Sequence, residues 1–249
     1  MAKAGSKKRK IIICIVSIVA VIALLFGACA VYLGDYYHAI TPAGESFGLQ
    51  DGSSLTETIK LDNGNIVCKS ENATKGLIFY PGGKVEYTAY LPLMESLAQK
   101  GILCVLVRMP FNLAVFDDNA ADGIREMFPE ITDWYIGGHS LGGSMAAAYL
   151  EKHPSDFKGL LLLAAYSTAD LSNENMRTLS IYGSNDGVLN REKYEQYRSN
   201  LPELTEYIID GGCHAYFGVY GSQDGDGTPT IDNARQINLT ADAVAKWVG

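Results

Sequence analysis

One short stretch of the chain combines a serine with glycines at a spacing that suits nucleophilic chemistry. Gly138-His139-Ser140-Leu141-Gly142 fits the pattern G-x-S-x-G, in which a strand turns sharply into a helix and exposes the serine hydroxyl. The turn brings the residues two before and two after the serine almost into contact, so glycine removes Cβ atoms that would clash. A glycine-rich turn without chemistry is the alternative. The apolar strand before the pattern and the small-residue helix after it favour a nucleophilic Ser140.

A serine nucleophile needs a base, and histidine is the usual one. His38 lies in an aperiodic segment, His139 sits on the strained turn beside the serine, and His153 is at the far end of the following helix. His214 follows a predicted strand, at the carboxyl edge where parallel sheets bind ligands. Elimination and position therefore indicate His214 as the base.

The base in turn needs an acid that orients it. Asp186 follows the predicted strand Arg177–Tyr182 and gives the chain order Ser, Asp, His. Asp170, after the preceding strand, is its rival, and Asp210 is a third candidate. An isolated loop aspartate is more often a turn former, so order along the chain is what favours Asp186.

An acyl-transfer site also needs hydrogen-bond donors for the oxyanion. The backbone N–H of Leu141, at the start of the helix, is the first predicted donor. The second is expected in the loop Pro81-Gly82-Gly83-Lys84, where glycines let an N–H turn inward. The sequence leaves open whether Gly83 or Lys84 donates.

The remaining pattern predicts the elements that must position these groups. An antiparallel hairpin is expected first, followed by alternating strands and helices, which indicates a mostly parallel sheet of seven or eight strands with helices on both faces. The predicted strands are Thr56–Leu61, Ile66–Lys69, Leu77–Tyr80, Ile102–Val107, Trp134–Ile136, Leu160–Ala164, Arg177–Tyr182 and Thr205–Ile209. The predicted helices are Ala89–Lys100, Ala120–Phe128, Ser144–Leu150, Arg191–Asn200 and Leu239–Val248.

The elbow, the Pro81-Gly82-Gly83 loop, Asp186 and His214 together resemble the α/β-hydrolase superfamily over residues 56–249. The chain is similar to its compact, lid-less dienelactone-hydrolase-like group, especially to membrane-anchored bacterial members with a Gly-Gly-x-His-Ala-x-Phe-Gly-x-Tyr-Gly run, here Gly211 to Gly221. The resemblance implies a Ser-His-Asp hydrolase that forms an acyl-enzyme and needs no cofactor. Dienelactone hydrolases use a cysteine nucleophile, so their substrate is not carried over to Ser140.

The expected pocket is shallow and aromatic. About a dozen residues separate the strands that end at Ala164 and begin at Arg177, which is too few for a cap domain. Loops 109–118, 165–176 and 214–230 should line the site, with Phe111, Tyr216 and Phe217 as predicted substrate-binding residues. The expected substrate is a small or medium ester, and no Cys/His spacing suggests a metal site.

The N-terminal region predicts a membrane anchor. Five basic residues precede the uncharged stretch Ile11–Gly34, and about 20 apolar residues suffice to cross a bilayer as a helix. A cleaved signal peptide is the alternative, since Ala28-Cys29-Ala30 resembles a cleavage site. The predicted organisation is a cytoplasmic tail (1–10), an anchor (11–33), a linker (34–54) and an extracytoplasmic domain (55–249).

The charge of the chain bears on its binding partners, and the cysteine content on disulfide bonds. The basic N-terminus leaves −13 on the rest of a chain whose formal net charge is −8, which argues against nucleic acid. Three cysteines lie beyond the anchor, and buried free thiols are expected of them. The leading hypothesis is a monomeric ester hydrolase. Acyl transfer or amide cleavage on the same fold, or a non-catalytic surface binding protein, are the alternatives.

Overall fold

The computed structural model describes residues 3–40 and 56–249, so most of the predicted linker, residues 41–54, lies outside the described residues. The chain divides into two compact units, Met1–Tyr36 and Tyr37–Gly249. The second unit therefore begins inside the predicted linker. It does so because Tyr37 forms a parallel β-bridge with Val85.

The first unit contains one helix, α1 (Lys3–Gly34). Its part Ile12–Gly34 has 23 residues and a mean hydropathy of 3.0, so it is long and apolar enough to cross a membrane. The predicted anchor, residues 11–33, corresponds to this part of the helix.

The second unit is built on one eight-stranded sheet, as the hydrolase-type pattern predicts. In the order β1-β2-β4-β3-β5-β6-β7-β8, β1 pairs antiparallel with β2 and β2 antiparallel with β4, whereas all other pairs are parallel. The strands are β1 (Thr56–Lys60), β2 (Ile66–Ser70), β3 (Lys75–Tyr80), β4 (Ile102–Leu106), β5 (Asp133–His139), β6 (Gly159–Leu163), β7 (Arg177–Gly183) and β8 (Leu204–Ile209).

Four helices cover the two faces of the sheet: α2 (Leu91–Ala98), α3 (Leu141–Lys152), α4 (Arg191–Tyr197) and α5 (Asn233–Val248). Helices α2 and α5 share a buried apolar cluster with one face of the sheet, including Leu93, Leu97, Ile237 and Val244. Helix α3 contributes Ala146, Ala147 and Leu150 to the cluster on the other face. The aliphatic strand β6 is buried along its whole length, as expected for a strand covered on both sides.

The predicted helix Ala120–Phe128 is wrong. The described chain has turns there and only a short 3-10 segment at Arg125–Met127. Gly123 has φ +73°, a left-handed conformation that ends a right-handed helix. The final helix begins at Asn233, six residues before the predicted start. It can begin there because the side chain of Asp232 accepts a hydrogen bond from Arg235 N at 2.7 Å and caps it.

The connection between β6 and β7, where a lid could be inserted, contains no helix or strand. The expectation of a compact domain without a cap therefore agrees with the structure. The cysteines Cys68, Cys104 and Cys213 are buried and free, as predicted.

Candidate active site

The elbow serine lies at the junction of β5 and α3, in strained backbone geometry. Ser140 has φ 52° and ψ −122°, which is unusual for a residue with a side chain. A Cβ atom added at Gly138 would lie 2.7 Å from the carbonyl carbon of Gly142 and would also press on the carbonyl oxygen of Tyr80. The glycines are thus required by close backbone contact, as the sequence pattern predicts.

The structure brings Asp186 and His214 together. Nδ1 of His214 lies 3.0 Å from Oδ2 and 3.2 Å from Oδ1 of Asp186. The two side chains are only 1% and 0% exposed, so the pair is shielded from water. Because the carboxylate can only accept, Nδ1 of His214 is the donor in this pair.

Asp186 is held in place by its own turn. Its Oδ1 accepts hydrogen bonds from Val188 N at 2.9 Å and Leu189 N at 2.8 Å. The rival Asp170 instead binds Ser172 through the backbone N and the hydroxyl, at an exposed site. Asp210 accepts from the hydroxyl of Ser184 at 3.4 Å. Of the three candidates, Asp186 is the one bonded to His214.

The serine and the histidine are not joined by a hydrogen bond in this structure. Nε2 of His214 is buried and has no partner among the described residues. A buried imidazole nitrogen without a partner is uncommon, since such atoms are normally satisfied. In structures without a bound substrate, the hydrogen bond between a serine and its base is often long or poorly aligned.

Residues 81–86 follow β3 and are called the oxyanion loop below, after the role that the sequence predicts for them. Four of their five backbone N–H groups from 82 to 86 have acceptors. Gly82 N donates to the Tyr90 hydroxyl at 3.1 Å, and Lys84 N donates to the Asn112 carbonyl at 2.8 Å. Val85 N and Glu86 N donate to backbone carbonyls as well. Among the described hydrogen bonds, Gly83 N is the one N–H from 82 to 86 without an acceptor.

A second histidine, His139, lies beside His214. Sequence reasoning missed this contact. The ring of His139 is 4.5 Å from that of His214, centroid to centroid, and its Nδ1 is 2.8 Å from the Tyr90 hydroxyl. Burial, and next the neighbouring His214, hold the pKa of His139 well below its ordinary value, so it is neutral. The sequence places His139 next to Ser140, but no local signal shows that its ring turns toward His214.

The loop that carries His214, residues 210–227, is called the histidine loop below. Oδ1 of Asp226 accepts from His214 N at 3.1 Å and from Gly187 N at 3.2 Å, and its Oδ2 accepts from Ala215 N at 2.8 Å. One carboxylate therefore ties the backbone of His214 to the residue after Asp186. Burial alone would raise the pKa of Asp226, but these N–H groups and that of Gly227 outweigh it and lower the pKa.

Helix α5 also holds the histidine loop, through the side chain of Gln236. The side chain of Gln236, fully buried, accepts from Cys213 N at 3.0 Å and donates to the Cys213 carbonyl at 2.8 Å. Sequence reasoning placed Asp226 in the loop 214–230 that should line the site, but it gave this residue no positioning role, and it missed Gln236.

The three predicted substrate-binding residues differ in their exposure. Phe111 is 59% exposed and packs edge-on against Phe116, at a ring distance of 5.7 Å. Phe217 is instead fully buried, with its ring 5.5 Å from that of His139. Tyr216 is half-buried and its carbonyl accepts from Asn233. Phe111 alone of the three is freely open to a ligand.

The comparisons with known proteins agree with this architecture. Residues 76–238 match the alpha/beta hydrolase family. The chain belongs to that family. The search of curated protein sequences found no match to this chain.

Solved structures with the same fold include two hydrolases. The chain is similar to carboxyl esterase 2 from the mycorrhizal fungus Tuber melanosporum, with a TM-score of 0.59, 12% identity, and coverage of 85% of this chain and 91% of the esterase. It is also similar to a sugar hydrolase from Lactococcus lactis, with a TM-score of 0.57, 14% identity, and coverage of 78% and 96%. At these identities the likeness concerns the fold.

Proposed function

We propose that the protein is a serine hydrolase that cleaves carboxylic esters through an acyl-enzyme. Ser140 is the nucleophile, His214 the base and Asp186 the acid that orients it. The observation that carries this proposal is the shielded Asp186–His214 pair, whose Nε2 lacks a partner among the described residues, together with the strained elbow serine. The ring of His214 lies 4.5 Å from that of His139, the residue before Ser140. The carboxyl esterase fold relative supports the choice of an ester.

In the proposed reaction, His214 Nε2 takes the Ser140 proton while Oγ bonds to the ester carbonyl carbon. The tetrahedral oxyanion then collapses, the alcohol leaves with the proton from His214, and an acyl-serine remains. Water attacks it by the same route and releases the acid. Asp186 stabilises the imidazolium that forms in each half-reaction.

For the oxyanion we propose the N–H groups of Leu141 and Gly83. Leu141 is the first residue of α3, so its N–H has no intrahelical acceptor and lies at the positive end of the helix. The choice of Gly83 over Lys84 is supported by hydrogen bonding, because Lys84 N already donates to Asn112. A Cβ at Gly83 would lie 2.8 Å from Leu141 Cδ2, so the two proposed donors are neighbours.

The location remains part of the proposal. The apolar helix Ile12–Gly34 after a basic tail supports a single-pass anchor with the N-terminus in the cytoplasm and the hydrolase unit outside the cell membrane. A cleaved signal sequence would have the same composition near the N-terminus. In either case we propose an exported, monomeric enzyme acting on a small-molecule ester.

Labelling of the full chain with a fluorophosphonate probe tests the chemistry directly. We expect stoichiometric labelling that vanishes in Ser140→Ala and falls by at least about 1,000-fold in rate in His214→Ala, because unassisted serine is a poor nucleophile. Asp186→Asn should also be slow, whereas Asp170→Asn, the exposed rival, should match wild type.

Folded wild-type protein that takes up no probe would count against any activated serine and favour a surface binding protein. Labelled protein that hydrolyses no ester in a panel would favour acyl transfer or amide cleavage. Product analysis with added alcohol or amine acceptors separates those two reactions.

A further inference from the structure

Four residues at the start of the second unit, Tyr37–Ile40, contact both the oxyanion loop and the histidine loop. Tyr37 N donates to the Lys84 carbonyl at 2.7 Å, and Glu86 N donates to the Tyr37 carbonyl at 2.8 Å. Ala39 N donates to the Glu86 carboxylate at 3.1 Å. These bonds attach the segment Tyr37–Ile40, called the strap below, to the oxyanion loop.

The same segment is attached to the histidine loop. The Tyr37 hydroxyl accepts a hydrogen bond from Asp224 N at 3.1 Å, and its ring packs on Tyr220 at 5.7 Å. Ile40 N donates to the Val219 carbonyl at 2.9 Å. One tyrosine therefore contacts both loops, which lie far apart along the chain.

The attachment points are close to the groups that the proposed reaction uses. On the oxyanion loop they are the carbonyl of Lys84 and the N–H of Glu86, next to the free N–H of Gly83. On the histidine loop, Asp224 is two residues from Asp226, whose carboxylate holds His214 N. A shift of the strap would move both loops.

We propose that the strap is a positioning element of the active site, and that Tyr37 is its key positioning residue. It sets the distance between the oxyanion donor on one loop and His214 on the other. Tyr90 makes a second link between the loops, because its hydroxyl accepts from Gly82 N and its ring lies 6.4 Å from that of Tyr220. Tyr37 differs from Tyr90 in that it forms hydrogen bonds with the backbone of both loops. The catalytic consequence rests on the proposed function.

The kinetic test uses the full chain in detergent with p-nitrophenyl acetate as the probe. Tyr37→Phe keeps the ring and removes only the acceptor for Asp224 N, and we expect kcat to fall about 3- to 10-fold with KM within about twofold. Tyr149→Phe is the matched control, since that hydroxyl also makes one hydrogen bond, to Asp122 at 2.7 Å, outside both loops. Its kcat should equal that of wild type.

Hydrogen exchange of the same full-length proteins gives a readout that does not depend on chemistry. In Tyr37→Phe, peptides covering residues 82–86 and 214–227 should exchange faster, whereas those covering α3 should not change. Unchanged exchange and unchanged kcat would overturn the proposal. If Tyr37→Phe exchanges faster but the wild-type protein hydrolyses no ester, the strap still orders the two loops. The proposed hydrolase function would then be wrong.

Discussion

The elbow and the histidine loop hold their key side chains by different physical means. At the elbow, Ser140 is fixed by backbone strain and by contacts so close that only glycine fits at 138 and 142. In the histidine loop, His214 is fixed by hydrogen bonds that it donates to the carboxylates of Asp226 and Asp186. Tight backbone packing therefore fixes the elbow, whereas hydrogen bonds from N–H groups to carboxylates fix the histidine loop.

This difference predicts opposite sensitivities. Close packing responds to any added atom and hardly to charge, because dense interiors have no room to relax. A hydrogen-bonded loop tolerates changes of shape better, but it responds to the loss of an acceptor, since a buried N–H without a partner is costly. The experiments below test that contrast.

The largest effect is expected at the elbow, from Gly138→Ala. The new methyl group presses on the Tyr80 carbonyl, so the turn must open and Ser140 must move. A displacement of about 1 Å can lower the rate about 100-fold, and we expect at least that loss in kcat/KM from the folded variant. Gly123→Ala is the control, because it adds strain at φ +73° but meets no atom within 4 Å. It should lose stability and keep its activity. A fully active Gly138→Ala would refute the packing argument.

In the histidine loop, Asp226→Asn should lower kcat about 10- to 100-fold. The amide keeps the shape, but its NH₂ group must face N–H donors that the carboxylate now accepts from Gly187, His214 and Ala215. Asp224→Asn is the matched control two residues away. Asp224 is exposed, and its hydrogen bond to Tyr37 is made by the backbone N–H, which the substitution keeps. Equal kinetics for the two variants would show that Asp226 does not position His214.

A smaller loss of activity is expected from Tyr90→Phe. Tyr90 lies between the elbow and the histidine loop. The hydroxyl accepts from Gly82 N and contacts Nδ1 of His139, so its removal leaves two buried polar groups unsatisfied. We expect kcat to fall about 10-fold and the free energy of unfolding to fall by about 1–3 kcal/mol. Tyr87→Phe, which loses a bond to the Gly64 carbonyl, should reduce stability without affecting kcat.

The smallest effect concerns pH, and it should be confined to the hydrogen-bonded region. The pKa of Asp226 is lowered in the folded protein, so its contribution to stability is present above the ordinary aspartate pKa of 3.8. That contribution is lost as pH falls from there through the folded pKa. Thermal unfolding midpoints of wild type and Asp226→Asn should therefore differ at pH 6–7, and the difference should shrink progressively as the pH falls below about 3.8. A gap that stays constant with pH would mean that charge is not the cause.

Much of the fold could be predicted because its signals are local. Buried parallel strands read as aliphatic runs, as in β6, and the Asp62–Asn65 turn predicts the β1–β2 hairpin. The helix predicted at Ala120–Phe128 failed because one left-handed glycine outweighed an otherwise suitable composition. Helix α5 was predicted too short because its cap, Asp232, lies outside the apolar pattern.

By itself the sequence determined the elbow, the alternation of strands and helices, and the short set of candidate bases and acids, because these depend on neighbouring residues and on the apolar period. Only the tertiary structure decided that Asp186, and not Asp170 or Asp210, bonds to His214, and that Gly83 keeps a free N–H while Lys84 does not. It alone showed that Asp226 accepts from His214 N, 12 positions away, and that Tyr37 accepts from Asp224 N, 187 positions away. Such hydrogen bonds form only after the loops have been brought together by the sheet, and no local pattern encodes them.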